Sequence, residues 1–258
     1  MSHTRCLLLC SNNSSAKIIY NYLKSNVEFV SIVIENPISL KNKVRFRVKK
    51  LGVLTTIGQL IFIVLSKILK KINRERIDEI LTENKMNDSA FDQNMIVNVD
   101  SVNSTAVKEF IMESTVDIVL VAGTRIISRS VIDCTKAPFI NIHAGITPKY
   151  RGVHGGYWAL VNNDLAHCGA TIHIVDKGVD TGTILAQSFI SPDKKDNFST
   201  YPLLQLASAL PILKQLLNKD VSQIVKMPNK IIPDSISKQW YHPTIWLYLY
   251  HRIVNGVK

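Results

Sequence analysis

The stretch DIVLVAGTRIISRSVIDCTKAPFINIH, residues 117–143, decides the fold. Two of its runs, DIVLVA (117–122) and PFINI (138–142), have strand length and are too continuously apolar for a sheet with one wet face. Such strands belong to a mainly parallel sheet covered by helices on both sides. Toward the N terminus, RCLLLC (5–10) is a first strand and SNNSS (11–15) a polar turn. Residues 16–24 form a helix with Ile18, Ile19 and Leu23 on one side, and FVSIVI (29–34) is a second buried strand. Residues 95–99 are a weaker strand, and Ser104 caps a helix carrying Val107, Phe110 and Ile111. Toward the C terminus, residues 157–162 are helical, and ATIHIV (170–175) with TILAQSFI (183–190) form a β-pair. Residues 200–218 have a helical period interrupted at Pro211. The expected class is α/β, a doubly wound, mainly parallel Rossmann-like sheet with a basic amphipathic helical insert.

A chain of 258 residues that is 46% hydrophobic and 20% charged can bury a full core, which excludes disorder and low-complexity architectures. Four cysteines without a CxxC pair propose neither a disulfide scaffold nor a zinc site; Cys6 and Cys10 are expected as buried free thiols. The opening MSHTRCLLLCSNN turns polar after a short apolar run, so it reads as a strand and not a signal peptide, and the expected location is cytoplasmic. The net charge of +11 is local: residues 41–76 hold eleven Lys or Arg and one acid, Glu75. Lacking interleaved aromatics or a recognised motif, this segment is not expected to bind nucleic acid. No GxGxxG follows the first strand, which excludes a nicotinamide enzyme.

Within the insert, about residues 41–85, LGVLTTIGQLIFIVLS (51–66) carries no charge and has basic flanks. As a helix those residues span about 24 Å, short of the roughly 30 Å hydrocarbon core. Gly52, Thr55, Gln59 and Ser66 fall near one face, opposite a broad apolar one. Three readings compete: a helix buried against the domain or a subunit of a homo-oligomer, a peripheral membrane contact through residues 51–69, and a spanning helix, which length disfavours. The aromatic run WYHPTIWLYLY (240–250) packs inward or forms an interface.

The chemistry is concentrated in NIHAGITPKYRGVHGGYWALVNNDLAHCGATIHIVDKGVDTGTILAQ, residues 141–187. Asn141 and His143 sit two apart at a strand end, so both leave the same face, where doubly wound sheets bind ligands. Pro148 and Gly152 bracket Lys149, Tyr150 and Arg151 in a rigid loop suited to holding a phosphate or shaping a pocket wall. Asp176 leads through Gly178 to Asp180, Thr181 and Gly182, a tight loop holding a carboxylate near backbone. An amide, an imidazole and a carboxylate suit acyl-type transfer to an amine. Asn141 stabilises the oxygen that gains charge, His143 adds a hydrogen bond or moves a proton, and Asp180 orients the imidazole and accepts a proton through water.

These residues resemble the folate-dependent formyltransferases: phosphoribosylglycinamide formyltransferase, the methionyl-tRNA formyltransferase catalytic domain and the sugar N-formyltransferases. The likeness rests on Asn141-Ile142-His143, Pro148 through Gly152 and Asp180-Thr181-Gly182, with Thr171, His173 and residues 184–187 in support. Residues 122–128 (AGTRIIS) resemble the family's pterin-contacting loop. The resemblance implies a sheet of the formyltransferase type and catalytic Asn141, His143 and Asp180. It implies 10-formyltetrahydrofolate as donor, held by Gly123, Arg125, Ile126 and Ile127 on one side and Val175, Asp176 and Gly178 on the other. It implies a small-molecule primary amine as acceptor, contacted by Ser11, Asn12, Asn13, Ser14, Lys149, Tyr150, Arg151 and Gly152, and no metal.

The 11–15 loop lacks the glycine of the ribonucleotide-directed enzyme, and about forty residues after Asn218 are too few for the barrel of the tRNA-directed one. The expected organisation is therefore a catalytic domain over 1–220 and an extension over 221–258 with an aromatic helix and no separate barrel. The acceptor read from these departures is a nucleotide-linked amino sugar, with glycinamide ribonucleotide second. A catalytically silent membrane-surface module is the reading from another class. Beside the named set, His154 reads as reaching a phosphate or as a solvent-contacting loop residue. His173 reads as pocket-lining or packed, and Tyr157 and Trp158 as helix packing. Arg125 reads as supporting the donor's glutamate tail or pairing with an acid, and Asp176 as touching the pterin or forming a turn.

Overall fold

A computed structural model describes residues 4–227 and 236–258. The apolar runs become β1 (Arg5–Ser11), β2 (Glu28–Glu35), β3 (Ile96–Val99), β4 (Ile118–Ala122) and β5 (Phe139–His143), all parallel to their neighbours. Beyond the two-residue β6 (Arg151–Gly152), β7 (Gly169–Ile174) adds antiparallel to β5 and β8 (Ile184–Phe189) antiparallel to β7, giving the order β3-β2-β1-β4-β5-β7-β8. Order reverses at β1, which pairs with β2 on one side and β4 on the other, and the C-terminal ends of β1, β4 and β5 open on a common crevice.

Alternation along the strands sorts the core into two layers. Leu8, Cys10, Leu120 and Ile140 face one side, under α1 (Ser14–Leu23) and α8 (Tyr201–Leu217); Leu7, Leu9, Val119 and Phe139 face the other. That second side is covered by α5 (Thr105–Glu113), which Ser104 caps by accepting from the Val107 amide at 3.3 Å, and by α6 (Arg129–Ile132). A fully buried leucine of this kind contributes about 2 kcal/mol. Cys6 and Cys10 are buried free thiols, and burial pushes both up to about 12. The long C-terminal helix is not broken at Pro211: α8 is continuous, because Leu206, Leu210 and Leu213 anchor it on both sides of an exposed proline.

The basic helical insert lies between β2 and β3. It comprises α2 (Leu40–Leu51), α3 (Val53–Ile72) and α4 (Arg74–Glu83), with the chain turning between the first two at Gly52. Nothing in α2 is buried, and α3 is longer than the uncharged run because it continues through Lys67, Lys70 and Lys71, so that by length and composition alone it could cross a membrane and the length objection falls. The side of α3 that faces the protein is the mixed one: Thr56, Gly58, Gln59 and Phe62 are buried, whereas Leu54, Val64 and Ile72 are 72%, 59% and 72% exposed. Thr56 donates to the Gly52 carbonyl (2.7 Å) and Gln59 to the His242 carbonyl (2.8 Å), so polar groups turn inward at no unpaired cost.

A third, aromatic cluster of Phe62, Tyr157, Trp158, Phe198 and Tyr248 joins α3 to α7 (Gly155–Val161) and α10 (Ile245–Val254). Between α8 and α10 lie α9 (Val221–Val225) and β9 (Gln239–Trp240), and β9 pairs in parallel with β6. Residues 239–240 thereby brace the loop that carries Arg151 and Gly152.

Candidate active site

The pleat of β5 sets the first two side chains. Ile140 and Ile142 point into one core layer, so Asn141 and His143 must emerge on the other, beyond its last helix. Across the antiparallel pair, Asn141 stands opposite His173 and His143 opposite Thr171. His173 Nδ1 donates to the Ile174 carbonyl at 3.0 Å, and Nε2 lies 3.2 Å from the Asn141 amide nitrogen and 3.7 Å from Asp180 Oδ1, accepting from the amide in the neutral ring and facing the carboxylate in the charged one. One amide hydrogen is thus spent on His173 and the other remains for a ligand.

His143 is buried, and its Nε2–H donates to the Tyr150 carbonyl at 2.8 Å. Its Nδ1 lies 3.3 Å from Asp180 Oδ2. Asp180 arrives from a separate loop, in a left-handed conformation (φ 53°) that non-glycine residues seldom adopt. The Gly152 amide donates to Asp180 Oδ2 at 2.9 Å, and Arg151 Nη1 donates to the Val179 carbonyl at 2.9 Å, tying the two loops together. Burial pushes the Asp180 carboxyl up, but the His173 ring, the His143 ring and the Gly152 amide outweigh it and hold the group at about 2. Burial also pushes His143 below its ordinary value, against the pull of Asp180 and the Tyr150 carbonyl. The resting pair is therefore a neutral imidazole beside a carboxylate, and a proton delivered to Nδ1 is stabilised at once by Oδ2.

The three residues line one cavity of about 430 Å³. Gly123, Arg125, Ile126 and Ile127 line one side of it, and Val175, Asp176 and Gly178 another. Within that wall Arg125 is committed elsewhere. Its Nε donates to the buried Glu35 at 2.6 Å and its Nη2 to the Asp100 carbonyl at 2.9 Å, so the structure pairs it with an acid. Asp176 is a loop former, accepting from the Gly178 amide (3.0 Å) and the Thr181 hydroxyl (2.7 Å).

The residues expected on the acceptor separate. Gly152 lines the cavity, and Arg151 braces it. Lys149 and Tyr150 turn away: both side chains meet Asp164, the Tyr150 hydroxyl at 2.8 Å, and Tyr150 enters the site through its carbonyl alone. In the first loop Ser11 donates to the Gly123 carbonyl at 2.6 Å, and Asn13 caps α1 and lines a smaller cavity of about 190 Å³ with Gly123 and Ala144. Asn12 is exposed, and Ser14 donates to Asp88 at 2.8 Å, which commits its hydroxyl to a carboxylate. His154 is not a solvent-facing loop residue; its ring packs on Phe198 and lies 2.9 Å from His242.

Thr171 and Gln187, part of the resemblance but given no role in the sequence, complete the site together with Gly145. Thr171 accepts from the Thr147 amide (3.0 Å) and donates to the Gly145 carbonyl (2.8 Å), and Gln187 donates to the Thr147 carbonyl (2.9 Å), fixing the loop after β5. Gly145 is required there, since a Cβ would sit 2.7 Å from His143 Nε2 and closer still to the Tyr150 carbonyl. The sequence signal was present: Thr171 and His173 alternate with core isoleucines. A second groove of about 320 Å³, lined by Lys43, Phe46, Arg47, Lys50, Trp240 and Tyr241, shares Ile126, Gly152, Val153 and Val179 with the catalytic cavity. Arg47 Nη1 is buried without a hydrogen-bond partner among the described residues. Among the described residues, no cluster of three His, Cys, Asp or Glu side chains is placed to hold a metal ion.

A profile of the Formyl transferase family matches residues 64–202, just over half of the chain. The chain belongs to the formyl transferase family. A stretch of 82 residues is 40% identical to the methionyl-tRNA formyltransferase of Thermodesulfovibrio yellowstonii, covering 32% of this chain and 26% of that protein. The chain thus matches about a quarter of that relative's length. A sugar N-formyltransferase from a Shewanella species shares the fold at a TM-score of 0.57 and 16% identity, over 92% of this chain and 76% of that one. Glycinamide ribonucleotide transformylase 1 from Symbiobacterium toebii does so at 0.54 and 15%, over 86% and 89%. In this formyl transferase the seven-stranded sheet and its flanking helices are those of the shared fold.

Proposed function

We propose that this formyl transferase moves a formyl group from 10-formyltetrahydrofolate to a primary amine on a nucleotide-linked amino sugar. The convergence of Asn141, His143 and Asp180 on one cavity carries the reading. The cavity has the size of a small-ligand site, and its apolar walls, Val121, Ile127, Val175 and Val179, suit a flat heterocycle. The donor supplies the activated formyl carbon. As the amine nitrogen bonds to that carbon, its oxygen gains charge and the spare Asn141 N–H donates to it. The amine's proton passes to the His143–Asp180 pair, and the same pair returns it to the folate nitrogen as its bond to the formyl carbon breaks. One N–C bond forms, one breaks, and the proton ends on tetrahydrofolate.

The basic, aromatic groove suits the donor's benzoyl-glutamate end. Tyr241 and Trp240 offer ring faces, and Lys43, Arg47 and Lys50 offer charge that Arg125 does not. The Ser14–Asp88 contact disfavours a phosphate in the first loop and so weighs against glycinamide ribonucleotide. The test is turnover of the purified chain with donor and a panel of nucleoside-diphosphate amino sugars, glycinamide ribonucleotide and methionyl-tRNA, read by tetrahydrofolate release and product mass. Preference for either of the last two replaces the acceptor. Absence of both turnover and donor binding favours a silent module.

A further inference from the structure

We propose that α2, α3 and α10 together form a docking face for an anionic lipid bilayer, on whose surface the enzyme lies without spanning it. The outward stripe of α3, Leu54, Ile57, Ile61, Val64, Ile68 and Ile72, repeats at three- and four-residue steps and is solvent-exposed along its whole length. It adjoins α10 where Trp246 packs on Gly58, a contact that any Cβ at position 58 would block. From there Trp246, Leu249, Tyr250 and Ile253 continue an exposed apolar stripe, with the aromatics that favour the lipid–water boundary. So large an apolar surface is unusual on a protein that meets only water.

Charge identifies the occupant. Six of the twelve residues of α2 are Lys or Arg, α3 adds Lys67, Lys70 and Lys71, and no Asp or Glu occurs between Glu35 and Glu75. At about 100° per residue the bases of α2 form two opposed stripes. Lys43, Arg47 and Lys50 line the groove beside the catalytic cavity. Lys41, Arg45 and Lys49 point away from it, are exposed and form no ion pair among the described residues. A second copy of the chain docked symmetrically would set nine positive charges against nine, whereas anionic headgroups complement them. A spanning arrangement is opposed by the inward side of α3, which is fastened to the domain by Gln59 and by Phe62 packed on Phe198 (4.6 Å between centroids) and Tyr248 (5.1 Å).

The test is sedimentation of the full chain with vesicles of phosphatidylcholine alone or with one-third phosphatidylglycerol. Binding is expected only to the anionic vesicles, falling at least tenfold at high salt. Lys41→Gln/Arg45→Gln/Lys49→Gln is expected to weaken it about a hundredfold, at roughly fivefold per charge. Ile61→Glu/Val64→Glu is expected to abolish it, with thermal midpoint and formyl transfer from soluble substrates unchanged. On the unaltered chain, brominated phosphatidylglycerol is expected to quench tryptophan fluorescence through Trp246, a readout that needs no variant to fold. Equal sedimentation without phosphatidylglycerol, or no quenching, overturns the proposal. So does a lipid-independent dimer that Ile61→Glu/Val64→Glu dissociates, which assigns the face to a second copy. Resistance to alkaline extraction from membranes overturns it in favour of a spanning helix.

Discussion

Asn141 and His173 face each other across the β5–β7 pair, amide nitrogen to imidazole nitrogen at 3.2 Å, and both line the catalytic cavity. His173 is thus a positioning residue for Asn141. His173→Ala is expected to lower kcat ten- to a hundredfold with donor KM within about twofold, and His173→Gln to restore part of it, since its carbonyl oxygen can accept from the amide. A change confined to donor KM would assign His173 to binding instead.

The His143–Asp180 pair sets the pH dependence. Activity needs neutral His143, whose value burial pushes below the ordinary one, so the acid limb of kcat/KM is expected with a midpoint below about 6.5. Asp180, held at about 2, stays ionised throughout that range. Asp180→Asn is expected to cost about a thousandfold in kcat and to move the acid limb lower still, because the charge that favours imidazolium is gone. A pH–rate series on both proteins checks the sign.

Arg125 is expected to matter for stability before it matters for the donor. Arg125→Met leaves the 6%-exposed Glu35 without its counterion and is predicted to cost about 3 kcal/mol in urea unfolding. Adding Glu35→Gln is expected to recover part of that loss, giving a coupling of about 1–3 kcal/mol in the double-mutant cycle. Additive losses would show that the pair is not coupled.

His154 and His242, 2.9 Å apart, are pushed down by burial, His154 to about 3 with help from the His242 charge and His242 to about 4. The unfolded chain takes up protons on both near pH 6.5 while the folded chain does not. Stability is therefore full above that pH and lost as pH falls toward about 4, by about 2 kcal/mol per imidazole at pH 5. His242→Gln is expected to reduce the slope of thermal midpoint against pH between 6.5 and 5, which calorimetry reads directly.

What could be read from the chain were features carried by near neighbours. Continuous apolar runs announced β1, β2, β4 and β5, and an Asn-x-His at the end of one of them announced two groups on one face of the crevice. Strand alternation is a property of adjacent residues, so it survives without knowledge of the rest of the molecule.

Asp180 joined His143 in space only because Gly152 and Arg151 hold its loop, and Tyr150 proved to serve by its carbonyl while its ring turned to Asp164. The insert kept three readings in the sequence for the same reason. Counting apolar residues sends the greasy side of α3 inward. A carbonyl at residue 242 and a tryptophan at 246, nearly two hundred positions away, instead satisfied Gln59 and filled the space over Gly58. Composition and periodicity settled which segments fold and into what. Which side of each segment faces its neighbour was settled by partners far along the chain, because a hydrogen bond or a packed ring is favourable only once both of its halves are in place.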